Sequence, residues 1–177
     1  SAAELVSEIN HCFEAFDAIV ERHGIEKIKT IGDAYMAAGG IPGKSSTHPV
    51  EMILVALEIQ NYMQQLRARK IREHQDFWEL RIGIHTGPVI SGKVGRNKAS
   101  NDIWGDTVNI ASRMESSGVA GEINITGTTY QLVRDFFICE YRGKMPVKYK
   151  GEIDMYFIKG INPELCEEGK KDVPNEL

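Results

Sequence analysis

Two long helical periods, each followed by short apolar segments punctuated with glycine, restrict this chain to a fold that mixes helices with hairpins. From Ala2 to His23, Leu5, Ile9, Phe13, Phe16 and Val20 recur at spacings of three and four. That spacing lines one face of a helix, and Gly24 follows as its stop. Ile25 to Ile31 then predicts a strand, although Ile25, Ile28 and Ile31 keep only part of a two-residue period. Gly32-Asp33 marks a two-residue hairpin turn in reversed Asx-Gly order, and Ala34 to Ala38 is the returning strand. The second helix enters at Pro49, where a first-turn proline is tolerated. Met52, Val55, Ala56, Ile59, Tyr62, Met63 and Leu66 form its apolar stripe, and Arg67 to Asp76 is charged and exposed. A second strand pair follows, Leu80 to Ile84 and Val89 to Val94, joined by His85-Thr86-Gly87-Pro88.

The basic loop Gly95 to Ser100 leads through Asn101-Asp102-Ile103 into a third helix within Trp104 to Gly118. Beyond it the patterns predict a strand at Glu122 to Thr126 and a short helix at Thr128 to Arg134. A strand at Phe136 to Tyr141, a basic turn at Lys144 to Gly151 and a strand at Asp154 to Lys159 complete the series. Helices separated by hairpins indicate an α+β domain, with helices packed on a largely antiparallel sheet. The domain covers residues 1–161, and 162–177 is a polar, acidic tail expected to lack fixed structure. With 177 residues, 42% of them hydrophobic, the chain can bury a real core. A net charge of −4 argues against nucleic acid as a partner. The apolar runs fall short of the ~20 residues a bilayer span needs, so no direct membrane insertion is expected. Three scattered cysteines without a CxxC or His/Cys cluster suit neither zinc nor a disulfide framework, and a reduced, cytoplasmic setting is expected. The chain opens on Ser1 rather than Met, as a fragment or processed form does.

Within the third helix Asn109 and Arg113 are four apart and share one face. An amide beside a guanidinium can grip a sugar and a phosphate, although spacing alone equally describes a surface pair on an amphipathic helix. Asp33 at the hairpin tip either caps its own turn or presents a carboxylate to a divalent cation such as Mg²⁺. Lys29 and Asp102 combine a donor with an acceptor, which complements adenine's ring nitrogen and amino group. Each is otherwise an ordinary strand or loop charge. Lys148 and Lys150 flank Tyr149 in the basic turn and offer point charges to a triphosphate, or simply decorate a hairpin tip. His85 reads as a structural residue at a strand end. No GxxxxGK[ST], GxSxG, HExxH or GxGxxG motif is present.

Three stretches, Lys27 to Pro42 (KIKTIGDAYMAAGGIP), Leu80 to Gly95 (LRIGIHTGPVISGKVG) and Asn101 to Gly118 (NDIWGDTVNIASRMESSG), together resemble the class III nucleotidyl cyclase catalytic domain. Their order and intervals match, and the likeness runs over nearly all of Ala2 to Gly160. The resemblance implies a ferredoxin-like α+β domain working as a head-to-tail homodimer, with active sites at the interface between the two cyclase domains. It implies conversion of ATP or GTP to the 3′,5′-cyclic monophosphate and pyrophosphate with two Mg²⁺ or Mn²⁺ ions. By motif position it makes Asp33 a metal ligand and Lys29 and Asp102 the base-reading residues. Asn109 becomes the ribose-positioning residue and Arg113 the transition-state residue. Lys148 becomes a triphosphate-binding lysine, in V-K-Y-K-G where the family usually has V-K-G-K-G.

ATP is the implied substrate, because guanylyl members carry Glu and Cys at the positions of Lys29 and Asp102. A guanylyl cyclase, or a non-catalytic cyclase-like module that only pairs with a partner, are the alternatives. Family members open with a strand of the type F-x-D-I-x-x-F that bears the other metal aspartate. The sequence begins downstream of it, so that first strand is expected to be missing from the fold. Asp33 and Lys29, in this reading, serve two different active sites of the dimer. The parent is expected to be a larger protein with its cyclase domain in the cytoplasm.

Overall fold

The computed structural model describes residues 1–95, 100–168 and 173–175. Residues 96–99 of the predicted basic loop, and 169–172 and 176–177 of the tail, lie outside the described residues. The chain forms two compact units, Ser1–Ile59 with Val89–Trp104, and Gln60–Pro88 with Gly105–Leu177.

In the first unit, α1 (Ala2–Arg22) starts at a capping box in which the Ser1 hydroxyl accepts from the Glu4 amide and the Glu4 carboxylate accepts from the Ser1 ammonium. Its buried face is Cys12, Phe13, Phe16, Ile19 and Val20. Leu5, expected on that face, is exposed. The six residues of β1 (Glu26–Ile31) extend about 20 Å, against about 31 Å for α1, so the strand is too short to run the length of the helix. β1 pairs antiparallel with β2 (Ala34–Ala38), and the register jumps between Lys27 and Lys29. That bulge at Ile28 accounts for the broken period: Ile25 and Ile28 both reach the core while Ile31 is exposed. Gly32 sits at φ 58 and Ile31 pairs with Ala34, the pattern of a type II′ turn with glycine first, which explains the reversed order.

α2 (His48–Arg72) carries Pro49 in its first turn as expected and belongs to both units. Ile53, Val55, Ala56, Ile59, Met63 and Leu66 are its buried side chains, together with Gln60, whose amide donates to the carbonyls of Leu80 and Glu122. β3 (Ile82–Ile84) is shorter than expected and does not form a hairpin with β4 (Ile90–Val94). β4 pairs antiparallel with β5 (Ser100–Trp104), a strand the sequence presents only as an approach to the next helix. Gly87-Pro88 ends the apolar alternation after Ile84 and lacks one backbone donor, so pairing resumes only beyond it.

The second unit contains a four-stranded sheet in the order β3-β6-β8-β7. β6 (Ile123–Thr126) is central and buried at every residue. It runs parallel to β3 and antiparallel to β8 (Gly151–Ile161), so the sheet is largely antiparallel, as expected, with one parallel pair. β7 (Phe137–Val147) lies at one edge, where Pro146 is tolerated. β7 and β8 form one long hairpin closed by Lys148, Tyr149 and Lys150, a tighter tip than the turn expected over Lys144 to Gly151.

α3 (Asp106–Ser116) packs on β3 at Gly83, where a Cβ would lie 2.0 Å from the Glu115 backbone nitrogen. Met114, Val147 and Met155 form the core beneath it. α4 (Gly127–Val133) follows β6 directly, capped by the Thr126 hydroxyl. The described part of the tail is not structureless. A 3₁₀ turn spans Pro163–Leu165, and Cys166 bridges Pro174.

Candidate active site

α3 ends in a polar clamp. Asn124, fully buried on β6, donates its amide to the Met114 carbonyl at 2.9 Å. Its Oδ1 accepts from Arg142 Nη1 at 2.9 Å, and the same nitrogen donates to the Ser117 carbonyl at 2.9 Å. These bonds occupy carbonyls at the C-terminal end of α3 that have no partner inside the helix. Together with the close approach at Gly83, they fix the face that carries Asn109 and Arg113.

That face opens onto a cavity of about 490 Å³ lined by Asp106, Asn109, Ile110, Ser112, Arg113, Lys148, Tyr149 and Lys150. The structure thus brings together three of the residues predicted from sequence: Asn109 and Arg113 from α3, and Lys148 from the tip of the β7–β8 hairpin. Among the described residues, neither Asn109 nor Arg113 spends its side-chain donors on another group. Lys148 has no carboxylate partner there, and its Nζ lies 5.0 Å from the centre of the Tyr149 ring. The one acid on the lining, Asp106, is bonded to Lys150 Nζ at 2.7 Å. A cavity with free amide, guanidinium and ammonium donors and a neutralised carboxylate suits a polyanion that also bears hydroxyls.

Asp106 is a site residue that sequence reasoning passed over, and Lys150, read there as a point charge for a triphosphate, is instead paired with it. Asp106 reads only as the start of a helix, and its partner is 44 residues away. His85 directly follows β3. Its Nδ1 bonds the Thr126 hydroxyl at 2.8 Å, and burial pushes the imidazole below its usual pKa despite the opposing charge of Asp106.

In the first unit, β1 and β5 bring together the other predicted pair. Lys29 Nζ donates to Asp102 Oδ2 at 2.8 Å, and Asp102 Oδ1 accepts from the Ile103 amide at 2.8 Å. The Lys29 ammonium, helped by the Ile103 amide, holds the Asp102 carboxyl below the usual carboxylate value. Each group keeps capacity to spare: the ammonium has three protons and each carboxylate oxygen more than one lone pair. Asp33 stands exposed at the tip of the β1–β2 turn. No group of three or more His, Cys, Asp or Glu side chains able to hold a metal ion occurs among the described residues. Asp33 is therefore a single carboxylate, fewer oxygen ligands than Mg²⁺ takes. No helix among the described residues is long and apolar enough to cross a membrane.

The family model for the adenylate and guanylate cyclase catalytic domain matches residues 1–160. Among curated relatives, an adenylate cyclase of Mycobacterium tuberculosis is 37% identical over 158 residues. That match takes in 89% of this chain but 35% of the relative, so the chain spans about a third of the relative's length. The fold is that of solved cyclase domains. The adenylyl cyclase CyaB from P. aeruginosa superposes with a TM-score of 0.84 at 27% identity, covering 93% of this chain and 87% of CyaB. The guanylate cyclase domain of RhGC from Catenaria anguillulae, solved in complex with GTP, gives 0.79 at 31% identity, covering 92% and 87%.

Proposed function

The chain belongs to the family of adenylate and guanylate cyclase catalytic domains, and on that premise we propose that it converts ATP to 3′,5′-cyclic AMP and pyrophosphate. The observation that carries this reading is the cavity where Asn109, Arg113 and Lys148 present unpaired donors. The Lys29–Asp102 pair supports ATP over GTP. Lys29 donates toward a ring nitrogen of adenine and Asp102 accepts from its amino group. Guanine presents a carbonyl and a ring N–H at the corresponding edge, which reverses the pattern Lys29 requires.

In the proposed reaction the ribose 3′-hydroxyl attacks the α-phosphate in line. A new oxygen–phosphorus bond forms, the bond to the β-phosphate oxygen breaks, pyrophosphate leaves and the hydroxyl proton is lost. Asn109 orients the ribose through its amide. Arg113 meets the charge that builds on the phosphate oxygens during displacement, and its fixed fork suits that task better than an ammonium. Lys148 holds the phosphates that depart.

The family's chemistry uses divalent metal ions, and Asp33 is the carboxylate this chain offers toward Mg²⁺ or Mn²⁺. A lone carboxylate does not make a metal centre, since Mg²⁺ takes more oxygen ligands than it offers. A second copy of the domain is the partner this reading requires, and the domain acts in the cytoplasm, within a larger protein. The test is direct: the full-length protein incubated with ATP should release cyclic AMP and pyrophosphate in equal amounts. Release of ADP or AMP instead would refute the assignment.

A further inference from the structure

A carboxylate on the wall of a cavity that takes phosphates is an electrostatic liability, and Asp106 is such a group. Its placement resolves once its partner is considered. Lys150 Nζ lies 2.6 Å from Asp106 Oδ1 and 2.7 Å from Oδ2, so the pair presents little net charge to a ligand. The pair also joins two elements. Asp106 is the first residue of α3, the helix that bears Asn109 and Arg113, and Lys150 is on the hairpin tip that bears Lys148.

The tip itself is tightly built. The Lys150 amide donates to the Val147 carbonyl at 2.9 Å, and Tyr149 takes the left-handed backbone conformation at φ 66. Lys148 and Lys150 are thereby given separate tasks. Lys150 is held by the acid of α3, while Lys148 lies against the Tyr149 ring with no acid of its own among the described residues.

We propose that Asp106 and Lys150 are positioning residues: their ion pair latches the β7–β8 tip to the start of α3 and so sets where Lys148 stands relative to Asn109 and Arg113. The inference rests on reading this cavity as the phosphate end of the nucleotide site. Both partners are partly exposed, 36% for Lys150 and 56% for Asp106, so the latch is worth a modest factor. An exposed pair of this kind shifts an equilibrium by no more than about fivefold.

Simple charge counting and the latch predict opposite results for Asp106→Asn. Removing the acid makes the cavity more positive, so charge alone tightens a polyanion, whereas loss of the latch weakens it. The probe is inorganic tripolyphosphate, titrated into the full-length protein and its variants by calorimetry, alongside kcat and KM for ATP. Asp106→Asn and Lys150→Met should each weaken tripolyphosphate binding and raise KM by up to about fivefold, with kcat changing less. The charge-swapped double variant, Asp106→Lys with Lys150→Asp, should recover most of that loss. Tighter binding by Asp106→Asn, unchanged binding by both single variants, or a swap no better than either single variant would each overturn the latch. If the binding pattern appears while no cyclic nucleotide forms, the latch stands and the cyclase activity proposed above fails.

Discussion

At the scale of single residues, Arg113 and Lys148 face the same cavity but act at different moments of the proposed reaction. Lys148 meets charge that the triphosphate carries from the start. Arg113 meets charge that grows during the displacement, and binding that appears only in the transition state raises kcat. Arg113→Ala should therefore lower kcat by about 10²–10³ with a much smaller rise in KM. Steady-state kinetics separate the two, and a change in KM alone contradicts the role. The Asp102 carboxyl yields a prediction in pH. Its pKa is held below the ordinary 3.8, so it stays an ionised acceptor at every pH above that value and is lost only as pH falls further, through the lowered value. The ratio of ATP to GTP turnover should thus be flat from neutral pH down toward that value. A ratio that collapses well above it means that another group reads the base. Four-residue spacing puts Asn109 and Arg113 on one face, and the 2.8 Å Lys29–Asp102 bond joins a pair read as donor and acceptor, but their proposed roles came from the resemblance of three long motifs rather than from spacing. Asp106 was not legible, since its meaning depends on Lys150, and no local period connects a helix start with a distant hairpin tip.

At the scale of elements, α3 is held against β3 by the absence of a side chain. A Cβ at Gly83 would fall 2.0 Å from the Glu115 nitrogen and 2.5 Å from the Met114 carbonyl carbon, both backbone atoms that cannot swing aside. Gly83→Ala should destabilise the protein by about 1–3 kcal/mol or more, as overpacking does, and lower activity by displacing Asn109 and Arg113. Thermal unfolding measured beside kcat tests this, and an unchanged Tm contradicts the packing described. The elements were partly legible. The helices followed from their periods, and the first hairpin from its Gly-Asp turn. The second hairpin was misplaced because periodicity reports that a segment is extended but not which neighbour it pairs with. β3 is three residues long, too short for alternation to mark it as a parallel strand beside β6. The bulge at Ile28 likewise turns a two-residue period into one of three, a pattern that a flat strand would not show.

For the molecule as a whole, the family assignment rests on extended agreement, with 160 residues matched by one family model and a solved adenylyl cyclase superposing at a TM-score of 0.84. Neither fixes the base of the substrate, since the family contains both activities and the similar structures include a guanylate cyclase domain bound to GTP. The choice between ATP and GTP rests on Lys29 and Asp102, 73 residues apart in sequence and joined at 2.8 Å. Lys29→Glu combined with Asp102→Cys should move the preference toward GTP, because a glutamate accepts where guanine donates. The most direct test of the account is a competition in which the wild-type full-length protein is given equimolar ATP and GTP and both cyclic products are quantified in the same sample. The account predicts that cyclic AMP predominates. A majority of cyclic GMP, or neither product, contradicts it.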